Sequence, residues 1–374
     1  MLRIGITGQN GFIGTHLFNT LGLYPEKYQR IPFKKEFFNV EKDLDKFVSQ
    51  CDTIVHLAAM NRHDSQELIY ETNISLVTRL VDSLKRTASN AHLLFASSSQ
   101  EERDNLYGKS KKDGRKLLAK WVEKSGGIFT GMVIPNVFGP FGLPDYNSFI
   151  STFCYRLTHG KIPEIKTDSE IFLIYIGELV SEILHKIDSR ENEIYYGVPC
   201  TKVATVSDIL NKLQSYKQSY LDKGDIPVLD SVFDRDLFNT FRSYIDHKNY
   251  FPVKFMQHTD SRGMFVEIIR SGTGGQVSFS TTGPGITRGN HYHTRKIERF
   301  AVIKGKALIQ LRRIGTNEVL NFELDGDTAP AYVDMPIWYT HSIKNIGNKV
   351  VYTNFWINEP YDPEDPDTFP EEVQ

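Results

Sequence analysis

Two rhythms of apolar and polar positions divide the 374-residue chain. Up to about residue 240, short apolar runs alternate with stretches of helical spacing. Leu2 to Thr7 reads as a buried strand and Gly11 to Leu21 as the helix that follows. Tyr28 to Phe33 and Thr53 to Ala59 read as further strands. Glu71 to Arg86 puts Ile74, Val77, Leu80, Val81 and Leu84 on one side of a helix. His92 to Ser97 is strand-like, Asp113 to Lys124 helical, and Ile128 to Ile134 a strand again. Parallel strands separated by helices imply a doubly wound α/β sheet.

Near residue 245 helical periodicity gives way to short alternating runs. Gly275 to Ser280, Phe300 to Ile303, Ala307 to Leu311, Glu318 to Phe322 and Val350 to Phe355 read as strands. Lys304-Gly305-Lys306 has the look of a tight hairpin turn between two of them. Many short strands with turn signals imply an all-β barrel or sandwich. The shift falls at residues 242–250 and divides the chain into residues 1–245 and 246–374. The last stretch, Glu359 to Gln374, carries seven acidic residues, four prolines and no Lys or Arg. That composition predicts an extended or partly disordered, solvated end.

Composition narrows the function. Lys plus Arg is 44 against 46 Asp plus Glu, a net charge of -2. A nucleic-acid partner would call for a basic excess that is not there. Three distant cysteines, Cys51, Cys154 and Cys200, give neither a disulfide framework nor a cysteine zinc pair. No apolar run approaches a membrane span, and MLRIGITGQNG holds no signal-type apolar stretch. The expectation is a cytoplasmic, soluble protein, with no membrane or nucleic-acid partner, that handles a small molecule.

The first chemical feature is Gly8, Gly11 and Gly14 in TGQNGFIG, between a strand and a helix. Free backbone N–H groups and the positive end of the helix attract a pyrophosphate there, and the missing Cβ lets it come close. The second is Tyr107-Gly-Lys-Ser-Lys111, whose i, i+4 spacing puts both side chains on one helix face. An ammonium beside a phenol lowers its pKa, so Tyr107 can pass a proton to a carbonyl oxygen. Ser97, Ser98 and Ser99 lie just upstream, where a hydroxyl can hold the same oxygen.

These pieces, with VHLAAMN at 55–61, Asn73 and NVFGP at 136–140, resemble the extended branch of the short-chain dehydrogenase/reductase family, over residues 1–240. The resemblance implies a Rossmann domain with NAD(P) contacts at Gly8, Gly11, Phe12, Ile13, Gly14, Leu57, Ala58, Ala59 and Asn73. It implies Tyr107 as acid/base, Lys111 as its partner on the nicotinamide ribose, Ser98 as the serine on the carbonyl, and Asn136 as a substrate contact. Lys34 and Lys35 follow the second strand, where NAD enzymes carry an acidic residue for the ribose hydroxyl. Cations there suit a 2′-phosphate, which favours NADPH over NADH.

The third feature is His291-Tyr-His293, followed by Glu298 and, further on, His341. Residues i and i+2 of a strand point the same way, so His291 and His293 can share one cation. Three histidines and a carboxylate suit zinc, and also iron, nickel or manganese. Gly285 to Gly305 matches G-x5-H-x-H-x4-E-x6-G, and Pro336, His341 and Asn345 match a second motif. These motifs resemble the cupin superfamily, which implies a small metal-binding β-barrel and a homodimer. The second motif departs at Trp338, where that family usually has glycine. Asp260 to Glu267 and Thr287 to Tyr292 also resemble cupin-fold sugar-nucleotide epimerases. In that likeness Arg262 and Arg288 bind the nucleotide diphosphate and His291 is the base. A metal-bound nitrogen has no free lone pair, so the metal role of His291 is preferred and the base stays unassigned.

The two halves together resemble CapF-type capsular polysaccharide enzymes along nearly the whole chain. That likeness implies a bifunctional enzyme on a UDP-4-keto-6-deoxy amino sugar: C3 epimerised by the cupin, then C4 reduced with NADPH. The product would be UDP-2-acetamido-2,6-dideoxy-β-L-talose, on the route to UDP-N-acetyl-L-fucosamine. The alternative is a 4-ketoreductase whose cupin only dimerises or binds sugar.

Overall fold

A computed structural model describes all 374 residues, which form two compact units. The first comprises Met1–Phe149 and Thr167–Val206, the second Ile150–Lys166 and Ser207–Gln374.

The strands of the first unit are β1 (Leu2–Thr7), β2 (Tyr28–Ile31), β3 (Thr53–His56), β4 (His92–Ser98), β5 (Phe129–Ile134), β6 (Asn136–Phe138), β7 (Glu170–Tyr175), β8 (Glu193–Gly197) and β9 (Lys202–Thr205). Six of them form a parallel sheet in the order β2-β1-β3-β4-β5-β8. Strands β3 and β5 are buried along their whole length, as an internal parallel sheet requires. The helices that bear on the site are α1 (Phe12–Leu21), α2 (Glu41–Ser49), α3 (Gln66–Arg86) and α4 (Leu106–Ser125). Leu44, Phe47, Leu80, Leu84, Phe95, Leu118, Trp121 and Phe129 close one core with α2, α3 and α4. The order reverses between β1 and β3, and a doubly wound sheet binds ligands in the crevice at such a reversal. The third expected strand stops at His56, so Leu57, Ala58 and Ala59 lie in the loop at this crevice.

The second unit is antiparallel. Its strands are β10 (Val253–Lys254), β11 (Gln257–Asp260), β12 (Gly263–Val266), β13 (Gln276–Thr282), β14 (Thr287–Tyr292), β15 (Glu298–Lys304), β16 (Lys306–Arg313), β17 (Val319–Asp325), β18 (Ala331–Met335), β19 (Tyr339–Asn345), β20 (Val351–Ile357) and β21 (Phe369–Pro370). Two five-stranded sheets, β10-β18-β15-β20-β13 and β17-β16-β19-β14-β21, enclose Phe300, Val302, Ile309, Leu311, Phe322, Val333, Met335 and Ile343. The all-β expectation holds here, in the layout of a cupin. One local expectation fails: Lys304-Gly305-Lys306 is not a hairpin. Strand β15 pairs with β18 and β20, and β16 with β17 and β19, so the turn carries the chain from one sheet to the other. Gly305 sits there at φ +79°.

Sequence reading grouped residues 207–245 with the first half, because their spacing is helical. By contacts they pack with the β-strands. Arg299 and Asp334 form a bidentate pair, with side chains 2 % and 0 % exposed. Tyr220 donates to the same carboxylate at 2.7 Å, and Arg299 reaches Gly224 O at 2.9 Å. Arg242 donates to Met335 O and Asn239 to Arg295 O. A buried charge pair of this kind is held by its partners, and those partners sit on the helical segment.

The acidic tail corrects another expectation: it is extended but packed. Strand β21 pairs with β14 through His291 and Tyr292, and Val373 is buried. Arg312 binds Glu371 and the carbonyls of Glu372 and Val373, and Arg295 binds Glu359 and Asp365. The cations that neutralise the tail come from the barrel, where tail composition cannot show them. No helix is long and apolar enough to cross a membrane.

Candidate active site and metal centre

The glycine turn follows β1 at the crevice. Gly8 has φ +77°, and Gly11 N donates to Gly8 O at 2.9 Å. A Cβ on Gly14 would lie 2.3 Å from Gly8 O, so the turn closes only without one. Gly11 caps α1 with no side-chain hydrogen bond, so the first N–H groups of the helix, at Phe12 and Ile13, have no side-chain cap. Lys34 and Lys35 are exposed after β2. Asn73 is buried, but its amide is committed to protein: it takes Met60 N at 2.7 Å and donates to Met60 O and Ser110 Oγ. It clamps the loop after β3 to the helix that carries Tyr107 and Lys111.

The three serines separate clearly. Ser97 is buried and donates to Glu101, which is held in turn by Arg115 at 2.6 and 2.9 Å. Ser99 is exposed and starts a 3₁₀ turn, Ser99–Glu102. Ser98 ends β4, half-buried, its Oγ accepting only from Gln100 N at 3.2 Å. The 3₁₀ turn spans the short distance from serine to tyrosine. Helix α4 starts directly against it: a Cβ on Gly108 would lie 1.9 Å from Gln100 O. Asn105 caps that helix, taking Gly108 N at 2.7 Å. This cap was legible as a residue type but carried no chemistry by itself.

Lys111 Nζ donates to Ala96 O at 3.0 Å and lies 5.8 Å from the centre of the Tyr107 ring. The ammonium does not lower the phenol here, contrary to the sequence expectation. Burial, then the charge on Tyr146, pushes Tyr107 up to about 12. Burial lowers Lys111 to about 8, opposed by Glu101. The result is a neutral phenol beside a cation, a proton donor at neutral pH. Asn136 is exposed on β6, its amide on Phe172 O at 3.2 Å.

In the second unit His291, His293, Glu298 and His341 come together. One ligand atom from each lies within 4.8 Å of all the others. His291 and His341 face one another across the β14–β19 pair. His293 lies one residue past the end of β14, and Glu298 opens β15. Glu298 Oε2 lies 3.1 Å from His293 Nε2 and 3.2 Å from His341 Nε2. These three atoms are buried and without a well-formed hydrogen bond of their own. Inward-aimed donor atoms left over in this way fit a divalent cation, and N3O is a set zinc takes. Burial, then His341 and His293, lowers His291 to about 4. Desolvation raises Glu298, but the facing His293 and His341 imidazoles prevail and hold it well below the usual carboxylate range. Trp338 sits at φ +62°, a left-handed position natural to glycine, and its ring stacks on Tyr292 at 5.7 Å. It is buried. Arg262 and Arg288 are exposed. Arg262 pairs with Asp260 at 2.6 Å, and Arg288 donates to Thr281 O at 3.3 Å.

Comparison with known proteins agrees with this division. Residues 4–195, more than half the chain, match the NAD dependent epimerase/dehydratase family, and residues 258–369 match the polysaccharide biosynthesis C-terminal domain. The crystal structure of the capsular polysaccharide assembling protein CapF from Staphylococcus aureus is 34% identical, with all of both chains covered and a TM-score of 0.62. The chain belongs to the CapF-like capsular polysaccharide family. A UDP-2-acetamido-2,6-beta-L-arabino-hexul-4-ose reductase from Pseudomonas aeruginosa is 32% identical, over 98% of each chain. The structure of RMD from Pseudomonas aeruginosa complexed with NADPH is 19% identical over 58% of this chain and 82% of its own, with a TM-score of 0.52. It shares the fold.

Proposed function

We propose that the protein is an NADPH-dependent sugar-nucleotide 4-ketoreductase with an epimerising site in its barrel. The substrate is a UDP-4-keto-6-deoxy amino sugar, inverted at C3 and then reduced at C4 to UDP-2-acetamido-2,6-dideoxy-β-L-talose. That product lies on the route to UDP-N-acetyl-L-fucosamine and capsule or O-antigen polysaccharide. The observation that carries the reading is Tyr107 and Lys111 side by side next to β4, in a chain similar along its length to a reductase of that sugar class.

Bound NADPH supplies the hydride. Tyr107, a neutral phenol, gives its proton to the C4 carbonyl oxygen as charge develops there. Ser98 holds that oxygen with its hydroxyl. Lys111, 5.8 Å from the centre of the Tyr107 ring, would hold the nicotinamide ribose beside it. The N–H groups at the start of α1 would hold the pyrophosphate, with Gly8, Gly11, Gly14 and Leu57 to Ala59 lining the same crevice. Lys34 and Lys35 would pair with a 2′-phosphate, which favours NADPH over NADH. Asn73 holds the loop and the helix in register around the same cofactor.

The order of steps follows from chemistry. A C3–H is acidic only beside the ketone, so inversion precedes reduction. In the barrel Arg262 and Arg288 hold the diphosphate, and Asn136 contacts substrate in the first unit. A bound divalent cation supplies a fixed positive charge at His291, His293, Glu298 and His341. Four protein ligands favour a structural part for it. A homodimer through the barrel is supported by β13, a sheet-edge strand with Val277 64 % and Phe279 73 % exposed. A cytoplasmic setting fits a nucleotide-sugar substrate. A second reading, in which the barrel only binds sugar or dimerises, draws on the Arg262 guanidinium already paired with Asp260.

The test is NADPH oxidation with UDP-2-acetamido-2,6-dideoxy-4-keto-hexose. Tyr107→Phe should slow it by roughly 10²–10⁴-fold. A Tyr107→Phe protein that oxidises NADPH at the wild-type rate would remove the proposed acid.

A further inference from the structure

Asp367, in the acidic tail, contacts the metal-ligand loop without being one of the four ligands. It is buried and held at φ +41°. Its carboxylate accepts from three successive backbone amides: Thr294 N at 3.1 Å, Arg295 N at 3.0 Å and Lys296 N at 3.1 Å. It also accepts from the Thr294 hydroxyl at 2.6 Å. Three amides converging on one anion form a nest, bound through charge-assisted hydrogen bonds. Those amides belong to the loop joining His293 to Glu298. The main-chain carbonyl of Asp367 meets His293 Nδ1 at 2.5 Å. A carbonyl only accepts, so the proton must sit on Nδ1. The Nε2 lone pair is then free, and it is the atom 3.1 Å from Glu298.

The neighbours of Asp367 reinforce the same loop and strand. Lys296 Nζ binds Pro366 O at 2.9 Å. Glu371 N donates to Asn290 O at 3.0 Å, beside His291, and Thr340, beside His341, donates to Glu371 O. Every histidine of the cluster, or its neighbour in the chain, is therefore tied to the tail.

We infer that the C-terminal tail is a metal-site clamp, with Asp367 as the positioning residue that fixes the tautomer of His293 and the path of the His293–Glu298 loop. The inference rests on the metal reading of the four-residue cluster. Asp367 itself touches no cation. It acts through His293 and through the loop amides, which would otherwise lose their acceptor.

The test titrates the metal-free full-length chain with zinc alone, against a competing chromogenic chelator. Asp367→Ala should weaken zinc binding by roughly 10- to 100-fold, the usual consequence of losing an outer-sphere partner. Asp367→Asn, which keeps one acceptor oxygen, should fall between. Asp362→Ala should match wild type, because Asp362 caps only Glu364 N on the exposed tail. Wild-type affinity in a folded Asp367→Ala protein overturns the inference. If that variant does not fold, nitrogen NMR of the zinc-loaded wild type decides: His293 with its proton on Nδ1 and its metal on Nε2 upholds the clamp, and coordination through Nδ1 overturns it. A wild-type chain that takes no zinc overturns the metal reading and the clamp together, and the flat wild-type titration distinguishes that failure from the first.

Discussion

Lys111 shows how far burial sets chemistry at a single residue. Its ammonium has lost water and faces Ala96 O, the Phe95 and Tyr107 rings, Glu101 from the turn before the helix, and His56 from β3. Burial holds His56 neutral, at about 3, so it adds no competing charge above that pH. With Lys111 lowered to about 8, the ammonium is present below that pH and lost above it. The cofactor meets the free enzyme, so kcat/KM for NADPH should fall as pH rises through about 8. Lys111→Met should remove this limb along with most of the rate. A flat profile from pH 7 to 9.5 would show that the charge on Lys111 does no chemical work. The Tyr-x-x-x-Lys spacing was readable in the sequence because one helix sets it. The raised phenol was not, because it depends on burial by distant strands and on Tyr146.

At the scale of elements, the glycine turn and α1 were legible because their constraint is local. Gly14 lies six residues after Gly8, and the contacts that forbid a side chain are with Gly8 and its neighbour Gln9. Gly14→Ala should push the turn apart, raising KM for NADPH at least about tenfold while the zinc content of the barrel stays unchanged. An unchanged KM would mean that the pyrophosphate does not sit on this turn. What escaped the sequence was pairing between distant segments. The run around Gly305 reads as a hairpin because a lysine-flanked glycine lies between two apolar runs. Only the partners of β15 and β16 show that it crosses between sheets. Asp367 escaped for a similar reason: its partners lie more than 70 residues upstream, in a loop with no acidic-tail signature of its own. The metal ligands were legible because three of the four fall within eight residues.

For the whole molecule, each chemical site is assembled inside one unit of the chain. The reductase site draws on strands β1, β3 and β4, and the metal cluster on β14, β15 and β19 with the tail behind them. The helical segment 207–245 reads as part of the first half by its spacing, yet its buried Tyr220, Arg242 and Asn239 are bonded to the barrel. Periodicity reports an element's type, and side-chain partners report which core it serves. The account's central claim is that the two units act in series on one sugar. The most direct measurement is a single reaction in D2O, with NADPH and UDP-2-acetamido-2,6-dideoxy-4-keto-hexose. It follows nicotinamide absorbance together with deuterium at C3 by NMR. The account predicts NADPH loss and a reduced product carrying deuterium at C3, with inverted configuration there. NADPH loss with C3 undeuterated and of unchanged configuration would contradict it.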